Sequence, residues 1–312
     1  MQKLNRLKIL LFLLITFTSI STPIYANSVL QLQQVDDNVY AIVGPLTNRT
    51  PENLGNNATF GFVVTSEGVA LIDSGGTYKG AAEIHTLIKS VTDKPIKVVI
   101  NTGGQDHRWL GNGYFKAQGA RLIASAKAVE DQKARTQDQF FRVGSLVGDA
   151  GLEKTDAVYA EETFDDSLKF TLGNTQFELR HAGQAHTPGD SFVWLPQQRI
   201  VFSGDIVYVQ RMLSISSASN SKSWVSAFEA MAALEPRVVV PGHGHVSTLQ
   251  EAKAHSYDYL VFLRQAVSEF MESGGGIEDI GKLDQSQFSF LLNYETLKGR
   301  NAQRVYEELE WE

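Results

Sequence analysis

The sequence predicts an α/β protein in which two β-sheets pack together with helices outside. Short strand-like runs fill two separate stretches of the chain, each stretch is followed by segments with helical spacing, and no low-complexity linker divides them. A chain of 312 residues that is 43% hydrophobic and 20% charged can also bury such a core. We read a single domain over 27–312, with a C-terminal helical extension from about residue 249.

The elements follow in order. Lys3, Arg6 and Lys8 precede an apolar run from Ile9 to Phe17, and Pro23 and Ile24-Tyr25-Ala26 come after it. Basic region, short apolar region and small exit residue predict a secretory signal peptide over 1–26, cut after Ala26. The run is too short for a comfortable membrane span of about 20 residues. Strands are expected at Val29–Val35, Val39–Val43, Phe60–Thr65 and Val69–Ile72, separated by Asp36-Asp37-Asn38, a polar loop Thr47–Asn57, and Ser66-Glu67-Gly68. Ala82, Ile84, Leu87, Ile88 and Val91 give Lys79–Val91 a helical face, and Ile96–Ile100 is a nearly continuous apolar run, as a strand covered on both faces would be. A polar loop Asn101–Arg108, a helix, the strand Arg121–Ala124 and a helical stretch Ala126–Val147 complete the first half. Leu168–Leu172, Gln176–Arg180, Ser191–Leu195 and Arg199–Phe202 restore a β pattern, and the tail carries a helix at Ser223–Leu234, a strand at Arg237–Val240 and long helices after Leu249.

The formal net charge is −7, and removing Lys3, Arg6 and Lys8 makes the mature chain more acidic still. No Lys and Arg cluster offsets this, which argues against nucleic acid or an acidic membrane surface as partner. The absence of cysteine excludes disulfides, a lipid-modified cysteine and thiolate metal ligands. With the leader, it points to a periplasmic or secreted protein stabilised by its core alone.

Four segments bring ligand-type residues to strand ends: Gln105-Asp106-His107, His186 in Ala185-His186-Thr187-Pro188-Gly189-Asp190, Asp205 in Phe202-Ser203-Gly204-Asp205, and His243 in Pro241-Gly242-His243-Gly244-His245. Imidazoles and carboxylates there, with glycines allowing close backbone approach, are what a zinc-type site requires. A single histidine after a strand would have a plain hydrogen-bonding explanation; an ordered set of four does not.

On these motifs the chain resembles the metallo-β-lactamase superfamily over nearly all of its mature length. Phe60-Gly61-Phe62-Val63-Val64 through Leu71-Ile72-Asp73-Ser74-Gly75 is similar to the family's opening hairpin and buried Asp, and the His186, Asp205 and His243 segments match three further motifs. Val193-Trp194-Leu195-Pro196 and Arg304-Val305-Tyr306-Glu307-Glu308-Leu309-Glu310 resemble a periplasmic subgroup found near sulfur-oxidation or quinoprotein dehydrogenase systems. The resemblance implies an αββα sandwich of two mixed β-sheets with outer helices.

The first family motif, Asn-Thr-His-x-His-x-Asp-His-x-x-Gly-Asn, is degenerate here. The chain reads Asn101-Thr102-Gly103-Gly104-Gln105-Asp106-His107-Arg108-Trp109-Leu110-Gly111-Asn112, and two registers exist. Without a gap, Gly103 and Gln105 replace the leading histidines and His107-Arg108 replaces Asp-His. With Asp106-His107 aligned to Asp-His, Thr102 and Gly104 replace the histidines and one residue is added before Gly111. The second is preferred, because it keeps an Asp-His dipeptide and an extra loop residue costs little. It implies one complete metal position, Asp106, His107, Asp205 and His243, and a depleted one with His186 and a share of Asp205. A mononuclear site is therefore expected, holding zinc, with iron and manganese as alternatives that an oxygen and nitrogen ligand set admits.

The resemblance implies a hydrolase in which a metal-activated water attacks a small ester, thioester, lactone or lactam, with Asp106 orienting that water or taking its proton. The rival reading is a non-catalytic or weakly active binding protein that serves a periplasmic oxidation system; Gly103, Gly104 and Arg108 favour it, and retention of His186, Asp205 and His243 opposes it. Gln105, Arg108, Asp190 and His245 are further candidates for the pocket, Arg108 either as receiver of an anionic substrate group or as a stand-in for lost metal charge. Thr47–Asn57 is placed like the family's substrate-covering loop, with an ordinary mobile loop as the plainer reading. The expected partner is a small molecule; the sequence leaves oligomeric state open.

Overall fold

The computed structural model describes residues 29–312, so the expected leader and its cleavage point lie outside the described residues. A seven-stranded sheet runs in chain order, β1 (Gln31–Asp36), β2 (Val39–Val43), β3 (Thr59–Val64), β4 (Val69–Ile72), β5 (Ile96–Asn101), β6 (Arg121–Ser125) and β7 (Glu162–Phe164). It is antiparallel from β1 to β4 and parallel from β4 to β7. Strands β8 (Ser167–Leu172), β9 (Thr175–Arg180), β10 (Phe192–Leu195), β11 (Ile200–Phe202) and β12 (Val238–Val240) form the second sheet, antiparallel except for the β11–β12 pair. Both sheets are thus mixed, as expected.

Strand alternation sorts the side chains into layers. Val63, Ala70, Ile72, Val98, Ile100 and Ile123 turn inward and meet Phe177, Leu179, Val193 and Phe202 of the second sheet. The alternate residues Phe60, Phe62, Leu71, Val99 and Leu122 turn outward onto Ala81, Ile84 and Ile88 of the helix Tyr78–Lys89. Covering on both faces explains why Ile96–Ile100 reads as an unbroken apolar run. Gly61 is needed where the sheets approach most closely, since a Cβ there would stand 2.1 Å from the Phe202 ring.

The far face of the second sheet is covered by the helices Ser221–Ala232, Asp258–Glu272 and Tyr294–Leu309. Trp224, Phe228, Tyr259, Leu263 and Val305 pack there against Phe192, Trp194 and Val201. The C-terminal helices therefore share the core of this sheet. No helix among the described residues is long and apolar enough to cross a membrane.

Candidate metal centre

The centre lies where β5, β11 and β12 end. The loop after β5 enters a four-residue helix, Asp106–Trp109, whose residues are all buried. Helical geometry turns successive side chains by about 100°, so four neighbours fan out to four partners. Asp106 meets Arg49, His107 meets Asp205, Arg108 meets Asp73 and Asp205, and the Trp109 Nε1 donates to Gln139 Oε1 at 2.9 Å. The turn is fixed from both ends, as the Asn101 side-chain amide donates to the Arg108 carbonyl and pairs with Asn112.

His107, Asp205 and His243 offer ligand atoms that all lie within 4.8 Å of one another, and all three are buried. His243 shows what the group is suited to hold. Its Nδ1–H donates to the Asn57 carbonyl at 2.9 Å, which leaves the Nε2 lone pair facing Asp205 Oδ1 at 3.3 Å. Burial holds the His243 imidazole well below its ordinary pKa despite Asp205, so the ring is neutral and two acceptors face each other. A cation between them resolves that contact, and two imidazoles with one carboxylate are a fitting donor set for one zinc-type ion.

Asp106, expected as a ligand, is held elsewhere. Its Oδ1 accepts from Arg49 Nε at 2.8 Å and also from Nη2, and the same Nη2 lies 2.6 Å from His107 Nδ1. A guanidinium only donates, so His107 Nδ1 accepts here and its Nε2–H donates to Asp205 Oδ2 at 3.2 Å. Burial pushes the Asp106 carboxyl up, but Arg49 and His107 outweigh it and hold it well below the usual carboxylate range. The side chains of this helix that reach Asp205 are His107 and Arg108, the pair that the ungapped register sets at the family's Asp-His.

Arg108 is fully buried and spends every nitrogen on protein acceptors. Nε and Nη2 grip Asp205 at 3.2 and 2.7 Å, Nη1 reaches Asp73 Oδ2 at 2.8 Å and the Thr59 carbonyl, and Nη2 also reaches the Gly242 carbonyl. It therefore has no donor left for a substrate anion, and of the two readings of Arg108 its contacts agree with a positive charge that stands in among the carboxylates. Burial lowers its pKa, yet Asp205 and Asp73 more than reverse this. One guanidinium divided between two carboxylates satisfies them unequally: burial still leaves Asp73 raised, whereas Asp205, gripped twice, lies well below the ordinary value. Asp73 sits at a positive φ of 66°, unusual for a residue with a side chain, and also accepts from Thr102 N at 2.7 Å.

His186 stands outside the group of three. Its Nδ1 donates to the Ser214 carbonyl at 2.9 Å, and burial takes its pKa down to about 4. Asp190 shapes that loop by accepting from the Thr187 backbone and hydroxyl, and burial raises its pKa. Gln105 precedes the short helix and contacts Asp106 at 3.4 Å. His245 is half exposed and pairs with Glu251 at 3.2 Å, away from the other three. Where the leading histidines are missing, acids have closed in: a Cβ on Gly103 would stand 2.3 Å from Asp190 Oδ1, and one on Gly104 1.9 Å from Asp131 Oδ2.

Arg49 was not singled out from the sequence. Its loop is laced by side-chain hydrogen bonds: Asn53 caps Thr50 and Gly55, Asn56 bridges Gly76 and Gly80, and the Asn57 amide ties back to Thr47. The available signal was the density of asparagine between two strands, the residue type that fixes turns through its side chain.

Residues 55–243 match the model of the metallo-beta-lactamase superfamily. The chain belongs to that superfamily. It is 24% identical to a type 2 metallo-beta-lactamase of Elizabethkingia meningoseptica over 74% of this chain and 84% of that protein. A type 2 metallo-beta-lactamase of Bacteroides fragilis is 24% identical over 78% and 88% respectively. Among solved structures, a metallo-beta-lactamase from Pontibacter korlensis superposes with a TM-score of 0.60 at 24% identity, covering 74% of this chain and 99% of that one. Members of the superfamily generally bind metal ions, usually zinc, and a hydrolase-like enzyme is what these relatives support.

Proposed function

We propose that the protein is an exported, periplasmic hydrolase that holds one zinc-type ion on His107, Asp205 and His243 and cleaves a small ester, thioester, lactone or lactam. The observation that carries the reading is the His243 Nε2 lone pair set against Asp205 Oδ1, an arrangement a cation completes. When bound, such an ion acidifies water and polarises a carbonyl. The chain's own residues supply the frame. Asn57 fixes the tautomer of His243, Tyr208 stacks on its ring at 4.6 Å, and Arg108 locks the orientation of Asp205. Asp106 stays anionic beside Arg49, which makes it a poor proton acceptor, and Arg49 in turn holds the His107 ring through Nδ1. Neutral His186, its Nδ1 occupied, presents Nε2 as a hydrogen-bond acceptor beside Tyr208 and Trp224.

One observation favours the accessory-protein reading: His107 Nε2–H already satisfies Asp205, so the triad is partly closed on itself. Metal analysis of periplasmic protein separates the two. About one ion per chain, lost in His107→Ala and His243→Ala, supports the hydrolase with a single ion; two ions sink the single-ion site. No metal and no change of melting temperature with zinc supports the accessory protein. A hydrolysis screen over lactams, thioesters and lactones then reads the activity directly.

A further inference from the structure

The segment that carries Tyr208 has a side chain where a sheet would supply another strand. Along one edge it pairs with the His243 segment: the Val209 amide donates to the His243 carbonyl and the Gly242 amide to the Val207 carbonyl, both at 2.9 Å. Extended backbone alternates, so the amide and carbonyl of Tyr208 itself face the opposite edge. There the fully buried Ser256 answers both, its Oγ accepting from the Tyr208 amide at 2.9 Å and donating to the Tyr208 carbonyl at 2.7 Å. Buried backbone groups need partners, and a hydroxyl both donates and accepts at one atom, so a single serine can serve the two groups of one residue. Ser256 lies in Lys253–Tyr257, a π-helical turn between the helices Leu249–Ala252 and Asp258–Glu272. Such turns are rare and concentrate at functional sites. The same turn aims His255 Nδ1 at the Gln210 amide, 3.2 Å away, where the backbone has a positive φ of 67°.

What the clamp holds is the face on which His243 rests. The Tyr208 ring lies over the His243 imidazole at 4.6 Å and 27°, with His186 and Trp224 around it at 5.9 and 6.2 Å. The bond from His243 Nδ1 to the Asn57 carbonyl fixes the tautomer, but one hydrogen bond leaves a ring free to swing about it. A stacked face removes that freedom. We propose that Ser256 is a positioning residue of the centre: by clamping both backbone groups of Tyr208 it sets the plane of the His243 ring, and with it the direction in which Nε2 faces Asp205. The C-terminal helices thereby act on the centre through one hydroxyl. The inference rests on the metal-site reading for its consequence, a tighter hold on the ion, while the clamp itself works on the protein alone.

NMR of the histidine ring nitrogens in chelator-treated protein reads His243 without any ion. Ser256→Ala deletes one oxygen and broadens or removes the Nδ1–H signal that the bond to Asn57 protects. Zinc affinity, measured by competition with a chromophoric chelator, falls about tenfold, the low end of what the outer partners of metal-ligating histidines supply. Ser256→Thr keeps the hydroxyl and restores both. Leu263→Ala, a cavity in the same helical layer, lowers the melting temperature at least as far but moves neither. The proposal is overturned if Ser256→Ala keeps the wild-type ring signal or, in a protein that binds zinc, the wild-type affinity. It is overturned equally if Ser256→Thr loses them as fully as Ser256→Ala, or if Leu263→Ala shifts them as far, because the hydroxyl then only stabilises the fold. A wild type that binds no zinc, while Ser256→Ala still alters the ring signal, refutes the metal-site reading and leaves the clamp standing.

Discussion

Arg108→Met tests how the centre is held together. Methionine keeps much of the volume and deletes five buried hydrogen bonds, three to carboxylate oxygens and two to backbone carbonyls. Asp73 keeps its Thr102 donors and Asp205 keeps His107, so neither carboxylate is stripped bare. Removing one partner of a buried pair costs about 3–5 kcal/mol, and with two carboxylates stranded we expect about 4 or more. That is a large share of the roughly 5–15 kcal/mol by which domains are stable. The sign with pH follows. Arg108 holds Asp205 low in the folded protein, so this contribution is full above the unfolded carboxylate pKa of about 3.9 and is lost as pH falls through the folded value. In the variant the stranded carboxyls take up protons in the folded state, and the deficit narrows as pH drops. Urea unfolding followed by tryptophan fluorescence from pH 7 to 4, in chelator so that no ion replaces the charge, measures it. A loss below about 1 kcal/mol, or a deficit that does not change with pH, refutes the account.

Arg49→Met strands Asp106 and should cost about 3–5 kcal/mol, and zinc should raise its melting temperature more than that of wild type because His107 can then give Nδ1–H to Asp106 and turn an Nε2 lone pair to the ion; equal shifts by thermal scanning contradict this. Gly103→His with Gln105→His should not recover a second ion, since the first new Cβ lands 2.3 Å from Asp190 Oδ1; metal content of the double variant, rising to two ions per chain or not, decides. Burial, then Lys89, holds His85 below its ordinary pKa of 6.5, so its stability contribution is present above 6.5 and falls as pH drops below it. His85→Gln should flatten the slope of stability between about pH 5 and 6.5, read from unfolding midpoints.

The layers were legible because each strand writes its faces in alternation, and β5, covered on both, writes an unbroken apolar run. The three clustered residues were legible too, as ligand types set just past strand ends. Three-residue β7 was not foreseen, for it carries too few residues to show a period. The side-chain directions at 101–112 were not legible, for a physical reason. An Asp-His dipeptide looked like a retained pair, but a one-residue turn of a helix moves a side chain by about 100°, enough to deliver Asp106 to Arg49 and Arg108 to Asp205. Arg49 could not be ranked above other arginines, since its importance lies in the carboxylate it meets across the fold.

Putting a guanidinium at Arg108 also bears on which ion the centre prefers. Both oxygens of Asp205 already take an Arg108 nitrogen, at 2.7 and 3.2 Å, and each also faces an imidazole. An incoming cation must share that carboxylate with a fixed positive charge, whereas the imidazole of His243 has an undivided lone pair to give. The binding energy is thereby shifted from oxygen to nitrogen donors. Hard ions that depend on carboxylates, such as magnesium and calcium, are therefore expected to bind more weakly than zinc and its neighbours in the first transition row, and competitive metal titration of the chelated protein reads the order. In the ungapped register Arg108 stands where the family has a histidine, and on the proposed function it would then both remove a ligand and narrow the choice of metal left to His107, Asp205 and His243.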